Sequence, residues 1–406
     1  MSRETAATAT FDPRAPLSPP PDPWVGSSMP ELRSGPPWQM TDMIGAEPHL
    51  ARRILGRLLQ PGSAAADLAQ LVRDTAGRGQ PIVITGCGTS EHGAQAAVEI
   101  LREALRSVGL AGEPGAIVST QAFESALDPS SRGLVIGVSH EGGTSATNNA
   151  LSAARAAGAQ TALLTAGTGS PGARVADVVV ATGEMDRSWC HTVGYVSPML
   201  AATATGAILS GRDLDPAAVG DLMAAGLTDE SGAEAIAGRL AEGRHLITIG
   251  TGADRVAGRE LALKVEEGAW IPSAYRDLET FLHGHLPATD SSTGLVLVLT
   301  DRDHRAERIS KARRMLAATK VVGIRGAAIL ARHADAELAA DLTPAGRLVV
   351  PDAPFLPAPV AALLGSATAL QLLTERIARA RGTNPDPIRR DDPLYRDAAA
   401  AAEAPA

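Results

Sequence analysis

The chain of 406 residues is poor in cysteine, lysine and aromatic side chains. Its two cysteines, Cys87 and Cys190, cannot form a disulfide framework or a four-cysteine zinc site. Aromatic residues make up 3% of the chain, so its cores must be built from Ala, Val, Leu and Ile. A reaction that needs an amine side chain has only Lys264, Lys311 and Lys320 to use.

The chain also lacks a basic segment and a long apolar run. It has 45 acidic and 37 basic side chains, and this acidic balance argues against general nucleic-acid binding. No apolar stretch approaches the ~18 residues that cross a membrane. The N-terminus carries Arg3, Glu4 and Asp12 where a signal peptide would be apolar. We therefore expect a soluble, cytoplasmic protein that binds neither nucleic acid nor membrane.

Short apolar runs alternate with Ala-rich helical stretches, which predicts parallel sheets covered by helices on both faces. The candidate strands are PIVITG (81–86), LVIGVS (134–139), TALLTAG (161–167), DVVVATG (177–183), HLITIGTG (245–252), LVLVLTD (295–301), KVVGIRG (320–326) and RLVVPD (347–352). The order of strand, Gly turn, helix and three strands occurs twice. We predict two α/β domains of one three-layer α/β/α architecture, related by internal duplication.

The length also favours two domains, because single cores rarely grow past roughly 250 residues. Helical periodicity dominates from 192 to 244, with a break near Gly226, and a last helix spans 360–379. An alternative for the N-terminal arm is a segment that packs on a partner subunit through Trp24 or Trp38. The predicted parts are a Pro-rich flexible arm and lead-in (1–46), a first domain (47–230), a second domain (231–380) and a C-terminal tail (381–406).

Two loops that follow neighbouring strands are candidates for a binding site. GCGTSEHG (86–93) turns from strand to helix, so backbone amides around Gly88 and the hydroxyls of Thr89 and Ser90 suit an anion. It matches neither a Walker loop nor a dinucleotide fingerprint. The alternative is a tight turn in which Ser90 caps the helix.

SHEGGTSATN (139–148) follows the next strand. In an open parallel sheet both loops converge on one crevice beyond the strand ends. A ligand there would meet hydroxyl groups and a backbone that glycine leaves open. The second loop contributes Ser139, His140, Glu141, Gly142 and Thr144.

A third candidate is one face of a helix in the second half, where Glu260, Lys264 and Glu267 recur at helical spacing. The alternative is a solvated stripe of ion pairs. A buried carboxylate beside an ammonium could instead act as a general base. His283, in FLHGHLP (281–287), is either an acid–base group or a loop histidine. We predict no metal site, because the histidines and cysteines form no recognised ligand spacing.

Together these strings resemble the sugar isomerase (SIS) family, specifically the tandem-SIS isomerase half of glucosamine-6-phosphate synthase and its relatives. The resemblance runs from about Glu47 to Arg389. The first loop looks like the family's Gly-Cys-Gly-Thr-Ser turn. ELALKVEE (260–267) is similar to its Glu-Gly-Ala-Leu-Lys-x-x-Glu helix, and LHG (282–284) to its Lys-His-Gly-Pro loop.

The resemblance implies a site for a sugar or sugar phosphate in the first SIS domain. Nothing in the sequence suggests a cofactor, and we expect none. It makes Glu267 the base that moves a proton between C1 and C2, with Lys264 and Glu260 lining the site. His283 would assist ring opening from a neighbouring subunit, which implies a homodimer.

Several departures limit what the resemblance implies. The glutamine-hydrolysing domain and the family's C-terminal Schiff-base lysine have no counterpart, so aminotransfer would need ammonia from elsewhere. The segment 187–192 also differs, and its bulk should reshape the pocket; from it we include Cys190 and Thr192 among the substrate-binding candidates.

The family's phosphate loop reads Ser-Gln-Ser-Gly-Glu-Thr, and Glu141 replaces one of its phosphate-contacting serines. A carboxylate ~4 Å from a phosphate costs on the order of 4 kcal/mol at an effective dielectric near 20. Either Glu141 points away, or His140 compensates, or the ligand has no phosphate there.

We therefore predict an enzyme that isomerises, deaminates or deglycates a sugar derivative through an enediol or enolamine. A non-catalytic SIS module that binds a sugar and regulates a partner is the alternative.

Overall fold

In the computed structural model, residues 11–20, 22, 30–112 and 116–403 are described, and they form two five-stranded parallel sheets flanked by helices. The strands are β1 (Ile82–Gly86), β2 (Ile117–Gln121), β3 (Leu134–Val138), β4 (Gln160–Thr165), β5 (Val178–Ala181), β6 (His245–Gly250), β7 (Ser273–Asp277), β8 (Thr293–Leu299), β9 (Arg325–Ala331) and β10 (Gly346–Val350). The helices are α1 (Gln39–Leu58), α2 (Ala64–Gly77), α3 (Thr89–Ser107), α4 (Ala122–Leu127), α5 (Ser145–Ala157), α6 (Val193–Ser210), α7 (Pro216–Ala225), α8 (Glu230–Leu240), α9 (Asp254–Ala269), α10 (Arg305–Val322), α11 (Arg332–Glu337), α12 (Ala358–Arg381) and α13 (Pro393–Glu403).

The two sheets have the same strand order, β2-β1-β3-β4-β5 and β7-β6-β8-β9-β10. Every strand pair is parallel. The inner strands β3 and β8 are buried along their whole length, as continuous apolar runs predict. The predicted α/β class with two parallel sheets is thus confirmed, whereas internal duplication and the domain bounds stay predictions.

Three local expectations differ from the structure. The run KVVGIRG is not a strand, because Lys320 to Val322 end α10 and β9 begins only at Arg325. Gly323 terminates that helix in the left-handed region, at φ +84°. The edge strands β2 and β7 were not predicted. Helix α1 begins at Gln39, eight residues before Glu47, where the helical pattern of the sequence becomes clear.

Part of the N-terminal arm packs on the first half of the chain. The Leu17 side chain is buried, its amide donates to Glu184 at 2.7 Å, and its carbonyl accepts from the Met185 amide. Trp38 is buried in a cluster with Cys190, whereas Trp24 lies outside the described residues.

Helix α6 is the one described helix long and apolar enough to cross a membrane, but 89% of it is buried inside the protein. It is therefore a core helix, packed against α3.

Helix α9 connects the two sheets. It begins beyond the carboxyl end of β6, and its side chains reach α3 of the first half. Glu260 lies 2.6 Å from Nδ1 of His92, and Arg259 donates to Gln95 at 3.0 Å. The middle of α9 is thus held against α3 of the first half.

Candidate functional site

A cleft of about 270 Å³ opens beyond the carboxyl ends of β1 and β3, where the sequence predicts a binding crevice. Its volume is close to the lower end of the range of about 300–1,000 Å³ seen for small-molecule sites. Five segments contribute to its walls. The lining residues are Cys87, Gly88, Thr89, Ser90, His140, Glu141, Thr144, Trp189, His191, Glu267, Ile388 and Arg390.

The β1–α3 turn depends on glycine at two positions. A Cβ atom at Gly86 would lie 2.5 Å from the carbonyl oxygen of Ser90, so only glycine permits this close return of the chain. Gly88 has φ +56°, in the left-handed region that favours glycine. The turn therefore places Thr89 and Ser90 in the first turn of α3, facing the cleft.

In the β3–α5 loop, some predicted binding residues shape the wall instead of lining it. The Ser139 hydroxyl is buried and donates to the Thr144 hydroxyl at 3.2 Å. Gly142 is buried at φ +73°, and a Cβ there would collide with Ser170. His140, Glu141 and Thr144 line the cleft, whereas Ser139 and Gly142 lie behind it.

His140 is held as a neutral imidazole. Its Nε2 accepts a hydrogen bond from the Asp186 amide at 2.9 Å. Burial, together with the charge of His191, lowers the pKa of His140 to about 4. Compensation of Glu141 by a charged His140, one of the three options above, is therefore not supported near neutral pH.

Glu141 lies in the cleft wall. Burial raises its pKa; the charge of Asp186 acts in the same direction and that of His191 opposes it. The neutral form of this carboxyl is thus favoured more than for an ordinary glutamate, which weakens its repulsion of an anion. A protonated carboxyl can also donate a hydrogen bond to a sugar oxygen.

The end of α9 brings a charged triad to the cleft. Lys264 is fully buried, 2.5 Å from Glu267 and 3.6 Å from Glu260. Burial by itself lowers the pKa of Lys264, but Glu267 and Glu260 more than offset this and raise it. Burial likewise opposes the charge of Glu260, yet Lys264 and His92 lower its pKa overall. Glu267 is the member that reaches the cleft, so this face is no solvated stripe.

The remaining predicted residues lie elsewhere. Cys190 is buried with Sγ 3.9 Å from the Lys264 carbonyl oxygen, and burial raises the pKa of its thiol well above the usual range. Thr192 is buried, and its amide donates to Asp186. His283 is 70% exposed on the segment after β7, 2.8 Å from Glu279 and outside its own chain's cleft. A homodimer that brings His283 to a second subunit's cleft stays a prediction.

The candidate residues chosen from the sequence did not include Asp186, His191, Trp189 or Arg390. Trp189 is one of only four tryptophans, a rarity that could have marked this segment. Arg390 reaches the cleft because the C-terminal segment folds back, with its guanidinium 5.3 Å from the Trp189 ring. In the part of the chain that the structure describes, no three His, Cys, Asp or Glu side chains stand together as a metal site would require.

Comparisons with known proteins agree with this description. The SIS domain family model matches residues 78–209. The C-terminal domain of glucosamine-fructose-6-phosphate aminotransferase from Francisella tularensis superposes with a TM-score of 0.74 at 17% identity, covering 87% of this chain and 99% of that one. No curated protein matches the chain by sequence.

Two further solved structures have similar folds. Tagatose-6-phosphate ketose/aldose isomerase from Escherichia coli has a TM-score of 0.65 at 16% identity, covering 88% of this chain and 97% of that one. Glucosamine-6-phosphate deaminase from Thermotoga maritima has a TM-score of 0.57 at 16% identity, covering 78% and 95%. The resemblance seen in the sequence is confirmed: the chain carries a SIS domain at residues 78–209, and over most of its length it has the fold of the C-terminal domain of glucosamine-fructose-6-phosphate aminotransferase.

Proposed function

We propose that this protein is an enzyme that moves a proton between C1 and C2 of a sugar or amino sugar, with or without a phosphate group. The observation that carries the proposal is the placement of Glu267, which lines the cleft while its ion-pair partner Lys264 is buried behind it. A 1,2-shift needs one base that reaches both carbons, and a carboxylate held on a buried helix meets that need.

The buried ammonium has two roles in this proposal. At 2.5 Å it holds the Glu267 carboxylate in one position, so the base is already oriented before the substrate binds. Its buried positive charge also stabilises the negative charge that develops on the sugar oxygens as the enediolate forms.

The cleft chemistry supports isomerisation, deamination or deglycation over aminotransfer. Schiff-base aminotransfer needs an accessible amine, and two of the three lysines form surface ion pairs, Lys311 with Glu279 and Lys320 with Asp341. The third, Lys264, is enclosed between two carboxylates. A sugar hydroxyl or an amine suits Glu141, and Arg390 offers a cation to an anionic group.

Proton washout in D2O, followed by NMR, tests the proposal. The panel holds glucose, fructose and glucosamine, each with and without a 6-phosphate. We expect loss of the C1 or C2 proton signal with at least one sugar, and exchange about 10²–10⁴-fold slower in Glu267→Gln. Glu266→Gln is the matched control, because the neighbouring Glu266 is exposed and accepts from the Ser273 amide instead.

Unchanged exchange in Glu267→Gln would contradict the assignment of the base. No exchange with any sugar, combined with measurable binding of one of them, would favour the alternative of a regulatory sugar-binding module.

A further inference from the structure

His191 stands in the cleft wall with one ring nitrogen buried. Its Nδ1 is inaccessible to solvent and lies 3.8 Å from an Asp186 carboxylate oxygen. The side chain is nevertheless 29% exposed, so the accessible part is the opposite ring edge, which carries Nε2. Because His191 lines the cleft, that edge faces the cleft.

Asp186 is a fixed, buried anion. Its carboxylate accepts hydrogen bonds from the amides of Ser188, Thr192 and Gly194 at 3.0, 2.7 and 3.2 Å. Burial raises the pKa of Asp186, but His191, His140 and the Ser188 amide more than offset burial and lower that pKa overall. The separation of 3.8 Å is longer than a hydrogen bond, so Asp186 acts on His191 through its charge, which favours a proton on the facing nitrogen.

We propose that His191 is the acid–base residue that moves protons between the oxygen atoms on C1 and C2 while Glu267 moves the carbon-bound proton, and that Asp186 is its positioning residue. This assignment rests on the proposed function. It gives the cleft a complete acid–base pair within one chain, without a histidine from a second subunit.

The proton transfers balance for the conversion of an aldose into a ketose. Glu267 takes the proton from C2, and the imidazolium of His191 donates its Nε2 proton to the carbonyl oxygen on C1, which gives the enediol. The neutral imidazole then takes the hydroxyl proton from the oxygen on C2, while Glu267 returns its proton to C1. Both side chains end in their starting states.

The charge state of His191 depends on groups from three directions. Burial lowers its pKa, but Asp186 more than offsets this and the pKa of His191 is raised. Near neutral pH, the fraction of molecules with a protonated imidazole is thus larger for His191 than for an ordinary histidine. The first step of the reaction requires this protonated form. The titratable groups that act on it are Asp186 in its own loop, His140 and Glu141 in the β3–α5 loop, and Lys264 and Glu267 on α9.

Two measurements on the full chain test this assignment. The first is the NMR titration of the histidine ring signals, with His191 assigned from its absence in His191→Gln. We expect the His191 titration midpoint to fall by about one pH unit in Asp186→Asn. The second is the D2O exchange panel, in which His191→Gln should be about 10²–10⁴-fold slower than the unaltered protein.

The matched control is His333→Gln, which breaks another His–Asp pair, with Nδ1 2.6 Å from Asp352 and outside the cleft; it should exchange at the unaltered rate. If the unaltered protein exchanges and His191→Gln does so equally fast, the role of His191 is wrong and that of Glu267 stands. An unchanged His191 titration in Asp186→Asn overturns the positioning role. No exchange by the unaltered protein overturns the proposed function and this assignment together.

Discussion

The two sheets have the same strand order, but their carboxyl ends hold different chemistry. Gly250 repeats the close turn of Gly86, because a Cβ there would lie 2.3 Å from the Asp254 carbonyl oxygen. Ser90 in the first half therefore corresponds to Asp254 in the second. Ser90 lines an open cleft, whereas Asp254 is a buried carboxylate that the loops of the second half enclose.

At the carboxyl end of the second sheet, the buried carboxylates are paired with groups of the protein itself. Asp254 accepts from the Thr300 hydroxyl at 2.5 Å and from the amides of Thr300 and Asp301 at 2.6 and 2.9 Å. Asp301 accepts from the Ala253 amide and lies 2.6 Å from Arg308. The amide of this helix start, which could bind a ligand anion, is thus already occupied by a side chain.

The pairing registers extend the comparison. Thr85 pairs with Gly137 in the first sheet as Ile249 pairs with Leu297 in the second, which makes Glu141 and Asp301 equivalent positions. One acidic residue faces a cleft and the other closes an internal ion pair. Topology determines where a crevice forms, and the loop residues decide whether a ligand or the protein fills it.

The largest expected effect concerns α9, which begins at the enclosed Asp254 of the second half and ends at the cleft of the first half. Lys264→Met leaves Glu260 and Glu267 without their cation, and we expect a loss of about 3–5 kcal/mol in the free energy of unfolding. Lys320→Met, in an exposed pair with Asp341, should cost about 1 kcal/mol or less. Urea unfolding followed by circular dichroism measures both, and equal losses would contradict the burial argument.

The pH dependence of the free energy of unfolding should report on the buried carboxyl group of Asp254. Burial and the charge of Asp301 raise the pKa of Asp254 to about 6, from an ordinary value of 3.8. Its contribution is complete below pH 3.8 and is lost as the pH rises through 6, because the unfolded chain releases this proton more readily. Relative to Asp254→Asn, the unaltered protein should lose about 3 kcal/mol across this window. Parallel stability curves for the two proteins would disprove the raised pKa.

The smallest expected effect separates the two equivalent acids. Glu141→Ser should strengthen binding of glucosamine 6-phosphate relative to glucosamine about tenfold. This is less than the repulsion of a fully charged carboxylate implies, because the raised pKa of Glu141 leaves a fraction of its carboxyl groups neutral. Asp301→Ser should leave that ratio unchanged and reduce stability instead, since it removes the carboxylate that pairs with the partly buried Arg308. Calorimetry measures the ratio, and an equal or weaker preference for the phosphate in Glu141→Ser would show that Glu141 does not face it.

Much of the sheet architecture could be predicted because inner parallel strands are continuous apolar runs. The missed strands β2 and β7 are edge strands that are half-buried along most of their length, so they lack such a run. The segment 320–322, Lys-Val-Val, was misread as part of a strand, although Val321 is 89% exposed at the end of a helix. Exposed apolar residues at a helix end look the same in sequence as the start of a buried strand.

The cleft was only partly predictable for a related reason. Loops that directly follow strands could be located, because the sheet fixes where they emerge. Asp186 and His191 lie in an irregular loop, where no periodicity relates a residue to a face. Arg390 was predicted to lie in a tail, and its position depends on contacts such as that with the Trp189 ring, which no local pattern encodes.

Helix α9 also has a consequence for how such a gene can change. Glu267 and Lys264 are encoded in the second half of the gene, while most of the other residues that line the cleft are encoded in the first. Recombination that exchanged the second half alone would therefore replace one wall of the cleft. The His92–Glu260 contact at 2.6 Å adds a requirement for matched partners across the same junction. We therefore expect an exchange of one half alone to disturb both this contact and the cleft.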